Sequence, residues 1–341
     1  MAFRGIVVGC GGMGRGWMKN LTENPRTELI GVVDIRQEAA DKAAVDFKLP
    51  TQAAFTDLKA AIAALKPDFV CDITIPEAHC PTTVAAHGLG VPTIGEKPLA
   101  DTLSAGRQMV AAAKTSGKLG MISQSRRYND RHVALRNAIN EGAIGEVTTL
   151  NCDFYLGAHF GGFRDAMASP LILDMAIHHF DMARFFVGCD AKRVYAHEFN
   201  PKGSWYAGDV ACSVIFELDN KIVFTYRGSW CAEGCPTSWD GNWRVIGTKG
   251  TLLLENDQHP RGQRVVPSED KPFSSKLEDI TVQPVTINGN GIAGSLNEFI
   301  DALEGKGKPQ CLLADNLCSL AMVEAAIDSS KQGKRVEVAR E

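Results

Sequence analysis

The stretch RGIVVGCGGMG (Arg4–Gly14) decides how the rest of the chain is read. Its apolar run ends in four glycines within six residues, Gly9, Gly11, Gly12 and Gly14, with Met13 between the last two. A strand, the spacing Gly9-x-Gly11-x-x-Gly14 and then the helical pattern MGRGWMKNLTEN form a strand–loop–helix turn. Each glycine of the spacing has its own task there: a tight turn, close approach of backbone to a pyrophosphate, and close packing of helix on strand. The phosphates sit at the helix N-terminus, where unpaired amides collect. A βα turn that needs glycine for packing alone is the alternative. Asp34 weighs against it, because it ends the next apolar run, LIGVVD, 20 residues after Gly14, where a carboxylate accepts hydrogen bonds from an adenosine ribose. The expected cofactor is therefore a nicotinamide dinucleotide. Asp34 argues for NAD, since a carboxylate repels a 2′-phosphate; Arg36, able to stack on adenine or meet that phosphate, keeps NADP as the alternative.

Outward from this loop, short apolar runs alternate with helical patterns as far as residue 123. IVVG, LIGVVD, FVCDIT, VPTIGE and LGMIS are the strand candidates, and Ala-rich stretches such as AAFTDLKAAIAAL and HCPTTVAAHGL lie between them. That rhythm predicts an α/β Rossmann domain over 1–123, a doubly wound parallel sheet with helices on both faces. Beyond 123 the texture changes. One helix candidate, RHVALRNAINEGAIG, leads into longer alternating runs: EVTTLNCDFYL, AKRVYAHEF, DVACSVIFEL, KIVFTYRGSW and NWRVIGTKGTLLLE. Period-two alternation and the short turn LDNK predict an α+β domain over 124–341 with a mostly antiparallel open sheet covered on one face. The helical stretch PLILDMAIHHFDMARFFVG interrupts the runs early, and GSLNEFIDALEG and ADNLCSLAMVEAAIDSSKQGK close the chain.

Composition narrows the partners. The 341 residues are 45% hydrophobic and 22% charged with a formal net charge of −4, an ordinary globular balance that suggests about two domains. No Lys/Arg cluster offers a footprint for nucleic acid. The first strand begins too early for a secretory signal, and no apolar run reaches a membrane span's length. The expectation is a cytoplasmic protein acting on small molecules, without nucleic-acid or membrane partners. Ten scattered cysteines read as reduced, mostly buried thiols; the close pair Cys231 and Cys235 lacks a second ligand pair at zinc spacing, so no metal is expected.

Three further motifs complete the pattern: TIPEAH with Pro76 and His79, GEKPLA with Glu96, Lys97 and Pro98, and LDMAIHHFDMARFF with Asp174, His178 and Asp181. With the glycine loop, in this order, they resemble the Gfo/Idh/MocA family, named for glucose-fructose oxidoreductase, inositol dehydrogenase and a rhizopine-catabolism protein. The resemblance implies a Rossmann domain followed by an open-sheet domain, and oxidation or reduction of a secondary alcohol or ketone on a sugar, polyol or related ring with NAD(P). It also implies a homodimer or homotetramer formed through the exposed face of the second sheet. Lys97, Asp174 and His178 correspond to the family's catalytic set. Gly9, Gly11, Gly12, Met13, Gly14, Asp34, Arg36, Pro76, His79, Glu96 and Lys97 fall near the cofactor.

The chemistry suits those residue types. Removing hydride from an alcohol requires a base for the hydroxyl proton with a pKa near the working pH, which histidine supplies. Asp174 and His178, four apart on a helical pattern, point toward one site; His179 turns away by about 100°. Asp174 anchors substrate hydroxyls, as the resemblance implies, and Asp181 is the candidate to orient the imidazole. Lys97 follows a strand's carboxyl end, where open α/β sheets place their ligands, and its ammonium polarises the reacting oxygen. SQSRRYND and GAHFGGFRD supply the substrate-binding candidates Arg127, Tyr128, His159, Phe160 and Arg164, alongside Asp174 and His178. The arginines suit either an acidic substrate or pairing with protein carboxylates. Trp230, Trp239 and Trp243 read as core packing or as a platform for a sugar ring. Two rival functions stay open: glycoside cleavage through transient oxidation and elimination, and a non-catalytic sugar or cofactor sensor on the same fold.

Overall fold

A computed structural model describes residues 2–269 and 273–339. The chain folds into two compact units, Met1–Tyr128 with Asn288–Leu320, and Asn129–Ile287 with Ala321–Arg340.

In the first unit six parallel strands, β1 (Phe3–Val8), β2 (Thr27–Val33), β3 (Ala54–Phe55), β4 (Phe69–Asp72), β5 (Thr93–Glu96) and β6 (Gly120–Ser123), lie in the order β3-β2-β1-β4-β5-β6. That is the doubly wound order, whose switch point between β1 and β4 opens the ligand crevice at the strands' carboxyl ends. The connecting helices are α1 (Gly12–Glu23), α2 (Gln37–Asp46), α3 (Leu58–Leu65), α4 (Pro76–Gly88) and α5 (Leu103–Ser116). Local chemistry sets their ends. Asp57 caps α3 through the Ala60 amide and Thr102 caps α5 through that of Ala105, while α5 stops at Gly117 in the left-handed region. All five expected strands are present. The short β3 lies within a stretch expected to be wholly helical, AAFTDLKAAIAAL, whose polar Thr56 and Asp57 end the strand and start α3.

The single boundary expected at 123/124 does not describe the first unit, because residues 288–320 return to it. Helix α9 (Gly291–Leu303) places Leu296, Phe299 and Ile300, each fully buried, in one cluster with Val7, Trp17, Leu21 and Phe69. Phe299 meets Phe69 edge to face at 5.5 Å. Outside this contact Asn24 donates to Asn297, and Arg26 pairs with Asp301.

The second unit opens with α6 (Asp130–Asn140), followed by the strands β7 (Val147–Tyr155), β8 (Ala191–Phe199), β9 (Ala211–Leu218), β10 (Val223–Ser229), β11 (Asn242–Gly247), β12 (Gly250–Leu254), β13 (Arg261–Val265), β14 (Leu277–Ile280) and β15 (Val336–Glu337). They form one nine-stranded sheet, β14-β13-β12-β11-β7-β10-β9-β8-β15, antiparallel except where β7 and β10 run parallel. Short α7 (Phe163–Ala166), a π-helical turn Leu171–Ala176 and α8 (Ile177–Val187) follow β7; α10 (Leu313–Gln332) precedes β15. Alternation sorts the sheet's faces as expected. Phe154, Phe216, Phe224 and Trp243 point inward, where Phe180 of α8 meets Phe216 at 4.8 Å and Phe186 meets Trp243 at 5.0 Å. Tyr195, Ile215 and the Arg227–Asp153 pair occupy the outer face. Trp230 and Trp243 are buried, while Trp239 is half exposed. All ten cysteines are free thiols, six of them buried. Among the described residues no helix is long and apolar enough to cross a membrane.

Truncating Phe299 to Ala should cost about 3–5 kcal/mol, the range for a fully buried phenylalanine. Urea unfolding of the whole chain measures it. A loss under 1 kcal/mol would mean that α9 does not share the first unit's core.

Candidate functional site

The glycine loop meets the geometric demands that its spacing implies. Gly9 has φ +96°, and a Cβ there would lie 2.3 Å from the carbonyl oxygen of Ile73. A Cβ on Gly14 would lie 1.8 Å from the Gly9 oxygen. Above Gly11 and Gly12 the space is open to at least 4 Å. Two glycines thus serve close packing and two leave the N-terminus of α1 accessible; no side chain caps that terminus and no acidic residue lies in its first turn. The features suit the pyrophosphate of a dinucleotide, which needs uncapped amides and no competing anion.

Asp34 follows β2. Its Oδ2 accepts the Cys10 amide at 2.9 Å and its Oδ1 the Arg36 amide at 3.0 Å, so the carboxylate ties the loop after β2 to the glycine loop. Arg36 extends into solvent with Nε 3.5 Å from Asp34 Oδ1. Met13 is exposed beside the open glycines.

The other candidates of this unit divide. Pro76 occupies the first turn of α4. Glu96 turns inward: its Oε1 accepts Trp17 Nε1 at 2.8 Å and its Oε2 the Lys97 amide at 3.2 Å, and burial pushes its carboxyl upward against these bonds. It fastens the Lys97 segment to α1. His79 is likewise buried, between two carbonyl groups. Arg127 and Tyr128, expected to meet substrate, are committed to the protein. Arg127 donates to the Gln310 carbonyl at 2.7 Å and to Asp315 at 2.8 Å; the Tyr128 hydroxyl bonds Glu298, and burial with that carboxylate raises the phenol well above its ordinary value. Both anchor the segment that returns after residue 288.

In the second unit Asp174 lies in the π-helical turn and His178 in the first turn of α8. The wider i→i+5 bonding of such turns recurs at functional sites. Arg164 Nε donates to Asp174 Oδ2 at 2.6 Å, and its guanidinium lies 5.0 Å from the Phe160 ring centroid and 4.7 Å from that of Phe163. His178 is partly exposed. His179 is fully buried, 4.9 Å from Phe154 and 5.4 Å from Tyr226. Asp181, expected to orient the imidazole, is buried and faces Arg184 at 3.8 Å. His159 stacks on Trp205 at 3.7 Å and reaches Glu233 at 2.9 Å. Cys235 is exposed, and Cys231 Sγ lies 3.5 Å from Ser229 Oγ.

Glu198 was not among the expected site residues, although a carboxylate at an inward position of AKRVYAHEF is itself a signal. Its Oε2 accepts Ser169 Oγ at 3.2 Å, just before Pro170 and the π-helical turn; its Oε1 has no partner among the described residues. Burial pushes this carboxyl up to about 7.

Residues 3–124 match the oxidoreductase family with an NAD-binding Rossmann fold, and residues 132–253 match the GFO/IDH/MocA C-terminal domain. An inositol 2-dehydrogenase/D-chiro-inositol 3-dehydrogenase of Halalkalibacterium halodurans is 30% identical over 98% of this chain and 93% of its own. A D-apiose dehydrogenase of Paraburkholderia graminis is 27% identical over 98% and 90%. The crystal structure of an Agrobacterium radiobacter oxidoreductase with NAD+, L-tartaric acid and magnesium shares the fold, with TM-score 0.86 and 21% identity over 99% of both chains.

Two predictions test these arrangements. Gly14→Ala should destabilise the fold and abolish NAD binding, whereas Gly12→Ala should leave the melting temperature unchanged; thermal scans and calorimetry separate them, and equal tolerance would refute the packing argument. For Glu198, a native pKa above the unfolded 4.5 keeps the proton in the native state where the unfolded chain has lost it. Stability therefore falls as pH rises from 4.5 to about 7 and then levels. Glu198→Gln should flatten that slope and exceed the parent's stability above the window by up to about 3 kcal/mol, as read from urea unfolding across pH.

Proposed function

Since this chain belongs to the GFO/IDH/MocA oxidoreductases, with their NAD-binding Rossmann domain, we propose that it carries hydride between NAD and a secondary alcohol or ketone of a sugar or polyol. The observation that carries this reading is the partly exposed His178, one turn beyond the Asp174 carboxylate that Arg164 holds at 2.6 Å. A histidine on that side of the helix can take the proton of a hydroxyl, and the carboxylate accepts hydrogen bonds from substrate hydroxyls.

His178 takes the hydroxyl proton in oxidation and returns it in reduction. Lys97 lends its positive charge to the reacting oxygen as the bond to hydrogen weakens. Asp174, steered by Arg164, sets the orientation of the neighbouring hydroxyls. Gly9, Gly11, Gly14 and Asp34 hold the dinucleotide, which supplies the hydride acceptor or donor when bound. The half-exposed rings of Phe160 and Trp239 and the exposed ring of Phe163 suit the apolar face of a pyranose or cyclitol. The two relatives above are named for inositols and apiose, polyhydroxylated compounds whose hydroxyls can donate to a carboxylate.

Supplying NAD with a panel of cyclitols, aldoses, sugar acids and glycosides, and following reduced nicotinamide by absorbance, tests the reading. With a substrate in hand, His178→Ala should lower kcat by about 10²–10⁴-fold with NAD affinity by calorimetry unchanged, and Lys97→Ala should lower kcat by at least about 10²-fold. Undiminished turnover in both variants would refute the assignment. A glycoside cleaved without net reduced nicotinamide would transfer the same residues to oxidation–elimination chemistry.

A further inference from the structure

His79 was expected beside the cofactor, yet its ring is only 2% exposed and lies between two backbone carbonyls. Nδ1 is 2.8 Å from the oxygen of Pro98, and Nε2 is 3.1 Å from that of Thr74. A carbonyl oxygen only accepts. A neutral imidazole has one N–H, so it would set a lone pair against a lone pair on one side; the imidazolium donates on both. Burying such a cation is costly unless compensating charge and hydrogen bonds surround it. Both are present. Asp72, 1% exposed, ends β4 and accepts Thr74 Oγ at 2.7 Å and Thr83 Oγ at 3.1 Å. Burial pushes the carboxyls of Asp72 and Glu96 upward, and the charge of His79 draws both back.

The two carbonyls belong to functional ground. Thr74 lies in the loop after β4, beside the switch point, and Pro98 immediately follows Lys97. Glu96 already holds the amide of Lys97 and, through Trp17, ties it to α1. The Lys97 segment is thus held on its N-terminal side by a carboxylate and on its C-terminal side by an imidazole. Charged groups facing His79 come from the last residues of β4 (Asp72) and β5 (Glu96).

We propose that His79 is a positioning residue of the hydride-transfer reaction: its ring clamps the Pro98 carbonyl to the Thr74 carbonyl and so fixes where the Lys97 ammonium is delivered. This rests on the role given to Lys97 above. The geometry makes the clamp directional, since the bond to Pro98 bears on Lys97 directly and the bond to Thr74 supplies the anchor.

Amide side chains separate the two bonds. The Asn amide nitrogen takes the place of His Nδ1, and the Gln amide nitrogen that of Nε2. In the full-length protein with NAD and a turned-over substrate, His79→Ala should lower kcat about 10- to 100-fold while NAD affinity by calorimetry stays within about threefold. His79→Asn, which keeps a donor toward Pro98, should retain more of kcat than His79→Gln. Added imidazole should restore part of the activity of His79→Ala. Independently of turnover, the rate at which an amine reagent labels Lys97, followed by mass spectrometry, should rise in His79→Ala and stay near the parent's in His79→Asn. If His79→Ala is too unstable to purify, the Asn and Gln variants carry the test. The proposal fails if kcat is unchanged in the Gln variant, if Asn and Gln lose kcat equally with no change in Lys97 labelling, or if the loss falls on NAD affinity instead of kcat. Should Lys97→Ala itself leave turnover intact, the functional reading fails first; a dead Lys97→Ala beside a fully active His79→Gln refutes the clamp alone.

Discussion

Backbone must touch backbone where β1 passes into α1. The first turn of α1 rests on the Gly9 carbonyl, and Gly9 rests on the carbonyl of Ile73 after β4, at separations that no side chain would permit. Three segments of the chain therefore converge at one point of the sheet, the switch point where the strand order turns. That contact has geometric consequences. The helix enters with its first amides uncapped, Gly11 and Gly12 leave the space in front of them open, and the loop after β2 is drawn close enough for Asp34 to take the Cys10 amide. A dinucleotide site is in this sense a by-product of packing two loops and a helix without Cβ atoms between them.

Around that contact the first unit uses carboxylates as fasteners. Asp34, Asp72 and Glu96 each sit at the carboxyl end of a strand, and each accepts hydrogen bonds from another loop, side chain or helix. Loops carry the chemistry of such folds but lack the regular bonding that holds strands and helices in place. An ionised or hydrogen-bonded acid at the strand end supplies the missing constraint, and burial makes its geometry more exacting, because an unpaired oxygen there costs more than one in water. The strain on these acids appears in the upward push on Asp72 and Glu96. On its N-terminal side Lys97 is held by this machinery through its backbone amide, before its own side chain does anything.

Sequence periodicity made the parallel sheet legible because its strands are short, apolar and separated by helical patterns. The glycine spacing and Asp34 were legible because they need only local backbone geometry. What sequence order hides is return. Residues 288–320 follow an antiparallel domain in the chain, so continuity assigned them to it, whereas Leu296, Phe299 and Ile300 complete the first unit's core. The same return accounts for Arg127 and Tyr128. An arginine and a tyrosine in a polar segment look available for a ligand, but Asp315, Gln310 and Glu298, far along the chain, claim them. Long-range pairing of this kind has no local signature. Glu198 is the opposite case: its inward position was visible in the alternation of β8, and only its partner Ser169 was not.

The two adjacent histidines show how packing decides which side chain of a helix stays accessible. A rotation of about 100° per residue cannot put both rings in one environment. The sheet settles which goes where: Phe180 and Phe186 lock α8 against Phe216 and Trp243, and that rotation sends His179 between Phe154 and Tyr226. His178 is left on the partly exposed side, with Asp174 one turn before it. The π-helical turn carrying Asp174 departs from regular helix where Pro170 and the Glu198–Ser169 bond start the element. Arg164 then meets the carboxylate from outside the helix, with the rings of Phe160 and Phe163 close to its guanidinium. The position of each candidate group is thus inherited from an apolar contact made by its neighbour. A site built this way is as exact as the core beneath it, and a substitution at Phe216 or Trp243, remote from any ligand, acts on His178 through the rotation of the helix.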